Sequence, residues 1–111
     1  MIEVSYDVAK LSITAKGHAG YAEEGKDIVC AGVSALLFAL PNAFDRTLTG
    51  YVMEQDKETG YFYIMADMSG YCSAPRFQAL LIFETVWAGL ELIARQYPEY
   101  LKINLIAMEG I

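Results

Sequence analysis

Gly17-His18-Ala19-Gly20-Tyr21-Ala22-Glu23-Glu24-Gly25-Lys26-Asp27-Ile28-Val29-Cys30 is the stretch where one periodicity gives way to another. Before it, apolar and polar residues alternate, the pattern of a strand with one covered face. After it, the chain is apolar nearly all round from Ile28 to about Phe44, as in a helix buried on more than one side. The stretch predicts a strand, a small acidic loop and a helix, with His18 at the strand end and Cys30 in the helix's first turn. Asp27 is the expected N-cap, its carboxylate accepting from the N–H of Val29 or Cys30, so that Cys30 takes the third helical position. The positive end of the helix dipole favours an anion there, a thiolate included.

Towards the N-terminus, Ile2, Val4 and Tyr6 alternate with Glu3, Ser5 and Asp7, and Leu11, Ile13 and Ala15 with Ser12, Thr14 and Lys16. The short link Val8-Ala9-Lys10 predicts a hairpin that delivers His18 to the end of its second strand. Towards the C-terminus, Pro41 lacks an N–H and should kink or end the first helix near Leu40 unless the last turn restarts. Thr49–Gln55 and Tyr61–Asp67 read as strands around the polar turn Asp56-Lys57-Glu58-Thr59-Gly60, with Gly60 able to take positive φ. Ser69-Gly70-Tyr71-Cys72-Ser73 interrupts the pattern. Ser73 is placed to cap a second helix that tolerates Pro75 in its first turn, and Phe77, Leu80, Leu81, Trp87, Ala88 and Leu92 form its apolar stripe. Pro98 marks its end, and Leu101, Ile103 and Leu105 make a last strand. The expected fold class is α+β: two helices packed on one face of a mainly antiparallel five-stranded sheet, order ββαββαβ, as one domain over residues 1–111.

A chain of 111 residues holds one core without metal or disulfide staples. Its hydrophobic fraction of 55% is high for that size, which implies either a very dry core or apolar surface shared with a second subunit. A formal net charge of −6 is the wrong sign for gripping nucleic-acid phosphates and suits a basic protein or peptide partner. Met1-Ile2-Glu3-Val4 has no basic and apolar leader pattern, and the run Ile28 to Pro41 falls short of the roughly 20 residues that cross a bilayer, so no membrane association is expected. Cys30 and Cys72 are too far apart for a Cys-x-x-Cys motif or a disulfide framework, which points to a reducing cytoplasm.

A free thiol, with a pKa near 8.5, is a weak nucleophile at neutral pH until a base or a stabilising field activates it. His18 is the only imidazole in the chain. It is the candidate base for Cys30, with the free N–H groups of the helix start, that of Cys30 among them, as candidate oxyanion donors. Spacing alone equally fits a satisfied histidine and a small buried cysteine. Ser34 lies one turn beyond Cys30, where it either bonds within the site or back-bonds to the helix. Gly32 permits close approach of a backbone or substrate beside Cys30, or else tight helix-on-sheet packing. Between Gly20 and Gly25, Glu23 and Glu24 form either a solvated loop or a gate that admits a peptide and attracts its basic flank. Cys72 reads as a passive thiol, and Tyr51, Tyr61, Phe62 and Tyr63 as sheet packing. One His and no close thiol pair leave the chain short of a four-ligand zinc site, and no cofactor is expected.

Gly17-His18-Ala19, Gly25, Asp27-Ile28-Val29-Cys30-Ala31 and then Val33-Ser34-Ala35-Leu36 together resemble the signature of the ribosomal-processing cysteine protease family, known as Prp. Leu80-Leu81, Glu84-Thr85, the Gln96-Tyr97-Pro98-Glu99-Tyr100 turn and the final strand extend the resemblance over nearly the whole chain, with Gly32 standing where many similar sequences have Ala. The resemblance implies an endopeptidase with Cys30 as nucleophile and His18 as general base. For Asp27 it suggests a third role, orienting His18, which competes with that of an N-cap. It further implies a homodimer, and a substrate in the N-terminal extension of large ribosomal subunit protein twenty-seven, cut after an apolar, Phe-containing stretch. Two other functions remain open from the residues alone: a ribosome-associated peptide-binding module without catalysis, and a thiol redox sensor using Cys30.

Overall fold

The computed structural model describes residues 1–23, 26–67 and 73–106. The N-terminal alternation becomes β1 (Ile2–Asp7) and β2 (Ser12–Lys16), antiparallel partners with Tyr6 opposite Ile13. The turn between them is closed by Asp7 Oδ1, which accepts from Lys10 N–H at 3.1 Å. Leu11 adopts a left-handed φ of 51° and is fully buried, so its packing outweighs the conformational cost of about 1 kcal/mol. There follow α1 (Ile28–Thr47), β3 (Tyr51–Asp56), β4 (Tyr61–Ala66), α2 (Ser73–Gln96) and β5 (Leu101–Ile106), the order ββαββαβ expected from the sequence. Cys72 lies outside the described residues, as does the side chain of Ser73 that was expected to cap α2.

The sheet order is β3-β4-β2-β1-β5. Every neighbouring pair is antiparallel except β1 with β5, which run parallel because β5 returns only after the long crossover through α2. One face is apolar and carries both helices: Ile2, Val4 and Tyr6 from β1, Ile13 and Ala15 from β2, Phe62 and Ile64 from β4, and Leu101 from β5 are all buried. Onto them α1 lays Val29, Val33, Leu37, Leu40 and Phe44, and α2 lays Ala79, Phe83, Val86, Trp87 and Leu90. Tyr6 stacks on Phe83 at 5.7 Å and meets Trp87 at 5.4 Å, so aromatic rings tie the central strand to α2.

α1 corrects the sequence reading at Pro41. The helix neither ends nor breaks near Leu40 but continues through Pro41 to Thr47. The ring removes one backbone donor from the ladder, yet Leu40, Pro41 and Phe44 are all buried at this level, and Asn42 Nδ2 donates to the Phe38 carbonyl at 2.9 Å. The true end is a left-handed cap at Leu48, φ 57°, whose N–H turns back to the Phe44 carbonyl. At 20 residues, α1 is therefore long and apolar enough to cross a bilayer, unlike the shorter run read from the sequence, and so is the 21-residue portion Arg76–Gln96 of α2. In the fold, the apolar faces of both cover the sheet.

The helices meet through glycines. A Cβ on Gly32 would stand 3.3 Å from Ile93 Cδ1, and one on Gly89 would stand 2.8 Å from Leu36 Cδ2. Of the alternatives for Gly32, the structure shows close packing, against α2 and not against the sheet.

Candidate active site

His18 lies two residues beyond the end of β2, and the chain reaches it through Gly17 at φ 94°, where a Cβ would lie 2.5 Å from the Met1 carbonyl oxygen. Only glycine fits that position. Gly17 N–H donates to the Gly60 carbonyl at 3.0 Å, which fastens the histidine-bearing segment to the turn of the β3–β4 hairpin. After Gly20, at φ 71°, the ring of Tyr21 sits edge-on to Tyr97 (5.6 Å) and Tyr100 (5.2 Å), anchoring the loop to the turn between α2 and β5.

Asp27 is the N-cap. Its Oδ1 accepts from Cys30 N–H at 2.9 Å, while Oδ2 accepts from Tyr21 N–H at 3.0 Å and Ala22 N–H at 3.5 Å. Partial burial acts to raise the carboxyl's pKa, but the backbone N–H groups of Cys30, Tyr21, Ala22 and Val29 outweigh it and hold Asp27 below its ordinary value. One carboxylate thus closes the loop and starts the helix. The same bond corrects the expectation that Cys30 N–H is free to bind an oxyanion: the cap geometry directs that donor into Asp27 Oδ1. His18 makes no hydrogen bond among the described residues, so in this structure Asp27 does not orient the ring.

Cys30 is half-buried and His18 exposed, and both line one groove of about 930 Å³. Gly20, Asp27 and Ser34 line it too. The Ser34 hydroxyl does not back-bond to the helix among the described residues, which leaves it available in the groove. Glu23 is not part of the groove lining; its carboxylate pairs with Lys26 Nζ at 3.1 Å in solvent. Glu24 and Gly25 lie outside the described residues. The opposite wall is the hairpin turn, with Gln55, Asp56, Lys57, Glu58 and Gly60, and the floor is apolar, built from Val33, Leu37, Phe38 and Phe62. Phe62 meets Phe38 edge-on at 5.3 Å, so the ring read as sheet packing is also groove surface. That contribution was not visible in the sequence, because the alternation of β4 shows which face Phe62 occupies and not that it lies beside the groove.

A half-buried thiol in a helix's first turn, sharing a peptide-sized groove with an exposed imidazole, is the equipment of a thiol-dependent hydrolase. The chain belongs to the cysteine protease Prp family, whose model, described as "Cysteine protease Prp", matches residues 1–102. It is a cysteine protease. It is 38% identical over 105 residues to the ribosomal processing cysteine protease Prp of Bacillus subtilis (strain 168), covering 93% of this chain and 92% of that one. Among solved structures it is similar to the ribosomal processing protease Prp of S. aureus in complex with a covalently linked product peptide, with TM-score 0.81 and 31% identity over 95% of this chain and 99% of that one. The same S. aureus protease in complex with a substrate peptide gives TM-score 0.77 and 30% identity, again over 95% and 99%.

Proposed function

We propose that this protein, as a single catalytic domain over residues 1–111, removes the N-terminal extension of large ribosomal subunit protein twenty-seven. Cys30 is the nucleophile and His18 the general base. The observation that carries the reading is the meeting of these two side chains on one groove in a chain of the Prp family. Their lack of a direct hydrogen bond is compatible with these roles, since catalytic contacts commonly tighten only when substrate is bound. The similar S. aureus protease holding a covalently linked product peptide supports chemistry through a covalent enzyme adduct.

In this mechanism, His18 takes the thiol proton as Cys30 Sγ bonds to the scissile carbonyl carbon. The carbon–nitrogen bond then breaks, the proton passing from the imidazolium to the leaving amine. Water opens the remaining thioester, losing a proton to His18, and that proton returns to the sulfur. Asp27 contributes by holding Cys30 at the third helical position, and the Ser34 hydroxyl, facing the groove, is a donor for the bound peptide. Phe38, Phe62 and Leu37 suit an apolar residue before the cut.

The setting proposed is cytoplasmic, and the active form a homodimer. Phe77, Leu81 and Leu92 on α2 are 61%, 52% and 56% exposed and fall within a strip about 60° wide on the helical wheel, an apolar face that a second copy would cover. Catalysis is tested with a peptide spanning the extension. Cys30→Ala should abolish turnover, and His18→Ala should lower it by about 10²–10⁴-fold; full cleavage by Cys30→Ala would remove the mechanism.

A further inference from the structure

We propose that Gly60, at the turn of the β3–β4 hairpin, is a positioning residue for His18, a backbone seat against which the imidazole is set. The inference rests on reading His18 as the general base. Gly60 has φ 70°, and a Cβ built on it would lie 2.6 Å from the Gly17 carbonyl oxygen, 3.0 Å from the Gly17 carbonyl carbon and 3.0 Å from His18 Nε2. Two of those neighbours are backbone atoms. They are tied to the hairpin, because Gly17 N–H is bonded to the Gly60 carbonyl at 3.0 Å. The third neighbour is the ring.

A glycine that merely turned a hairpin would need the positive φ and nothing more. Here the turn is also held at a set height. Asp56 Oδ1 accepts from Glu58 N–H at 3.0 Å and Thr59 N–H at 3.5 Å, and the strands that flank it are in register with Asp56 opposite Tyr61. His18 is exposed and without a hydrogen bond among the described residues, so no polar partner fixes its ring, and its Nε2 edge lies where a Cβ on Gly60 would stand. A side chain at position 60 would press first on the Gly17 carbonyl, the peptide that carries His18, and next on the Nε2 edge, and so alter the ring's approach to Cys30 across the groove. The hairpin is therefore part of the catalytic apparatus although none of its side chains takes a proton.

The test is a double-mutant cycle on peptide cleavage, with kcat and KM measured for the wild type, Gly60→Ala, His18→Ala and the pair. Gly60→Ala should lower kcat by about tenfold or more, the scale of a misplaced catalytic group, with KM within about twofold. In the His18→Ala background the same substitution should change the residual rate by less than about twofold, because the group it displaces is gone. Wild-type kcat in Gly60→Ala, or an equal loss in both backgrounds, overturns the proposal while leaving His18 as the base. Full activity in His18→Ala overturns the base assignment itself, and the proposal with it. If Gly60→Ala does not fold, the wild-type protein decides: the ring protons of its one histidine should show nuclear Overhauser cross-peaks to the Gly60 α-protons, and their absence overturns the seat.

Discussion

Asp27 shows how one residue couples loop, helix and nucleophile. Its two oxygens face backbone donors from both sides of the loop, so the carboxylate holds Tyr21 and Cys30 in a fixed relation. Loss of a cap of this kind costs about 1 kcal/mol. Asp27→Ala should therefore lower stability by about that much at neutral pH, as measured by urea unfolding. The pH dependence follows from the depressed pKa: a carboxyl held below its unfolded value stabilises the fold fully above that unfolded value, and the contribution is lost as pH falls through the folded one. The gap between wild type and Asp27→Ala should stay constant from pH 7 to about 5 and close only in more acid solution, below the ordinary Asp pKa of about 3.9. A gap that closed above pH 5 would contradict the backbone-bonded carboxylate. The cap was legible because Asp followed by an apolar run is a local signal. That Cys30 N–H is the donor filling Oδ1, and so is unavailable to an oxyanion, depends on the helix's realised geometry.

At the scale of elements, the hydrophobic periods located all seven secondary-structure elements but misjudged one ending and one face: of the stripe expected along α2 only Trp87 is buried and Leu80 half-buried, while Phe77, Leu81, Ala88 and Leu92 are exposed. Pro41 reads locally as a break, but it lies within the face that α1 buries, and the packing of Leu40 and Phe44 around it outweighs the missing donor. The helix instead stops at Leu48, a left-handed residue that is 93% exposed. A leucine there has the strain of a positive φ with no burial to offset it. Leu48→Gly should raise stability by about 0.5–1 kcal/mol, read as a higher urea midpoint with an unchanged slope. No gain, or a loss, would mean that Leu48 contributes packing the fold does not show. The seam between α1 and α2 carries the complementary lesson: Gly32 and Gly89 look like weak points in helical sequence until the facing Ile93 and Leu36 occupy the space their side chains would need.

For the whole molecule, the sheet order β3-β4-β2-β1-β5 is what makes a groove. It puts β4 beside β2, so that the β3–β4 turn rises next to the strand end that carries His18, with the start of α1 on the far side. The uncovered stripe on α2 gives the proposed dimer a physical requirement. Leu81→Glu places a charge on that stripe without touching the core and should shift the protein towards monomer in sedimentation equilibrium, while a melting temperature within a few degrees of wild type would show the fold intact. A species unchanged in mass would place the dimer contact elsewhere.

Read alone, the amino-acid sequence determined the elements, their order, the apolar face of the sheet and the two reactive side chains, because strand and helix periods and the Asp27 cap are set by neighbouring residues and the chain holds one His and two Cys. Which strand lies beside which, the parallel pairing of β1 with β5, and the meeting of Gly17, His18 and Gly60 were decided only in three dimensions. Gly60 lies more than forty residues along the chain from His18, and no local pattern encodes a contact made of bare backbone. It exists because antiparallel pairing of β2 with β4 brings Gly17 and Gly60 to the same end of the sheet, where only the absence of a side chain lets them touch.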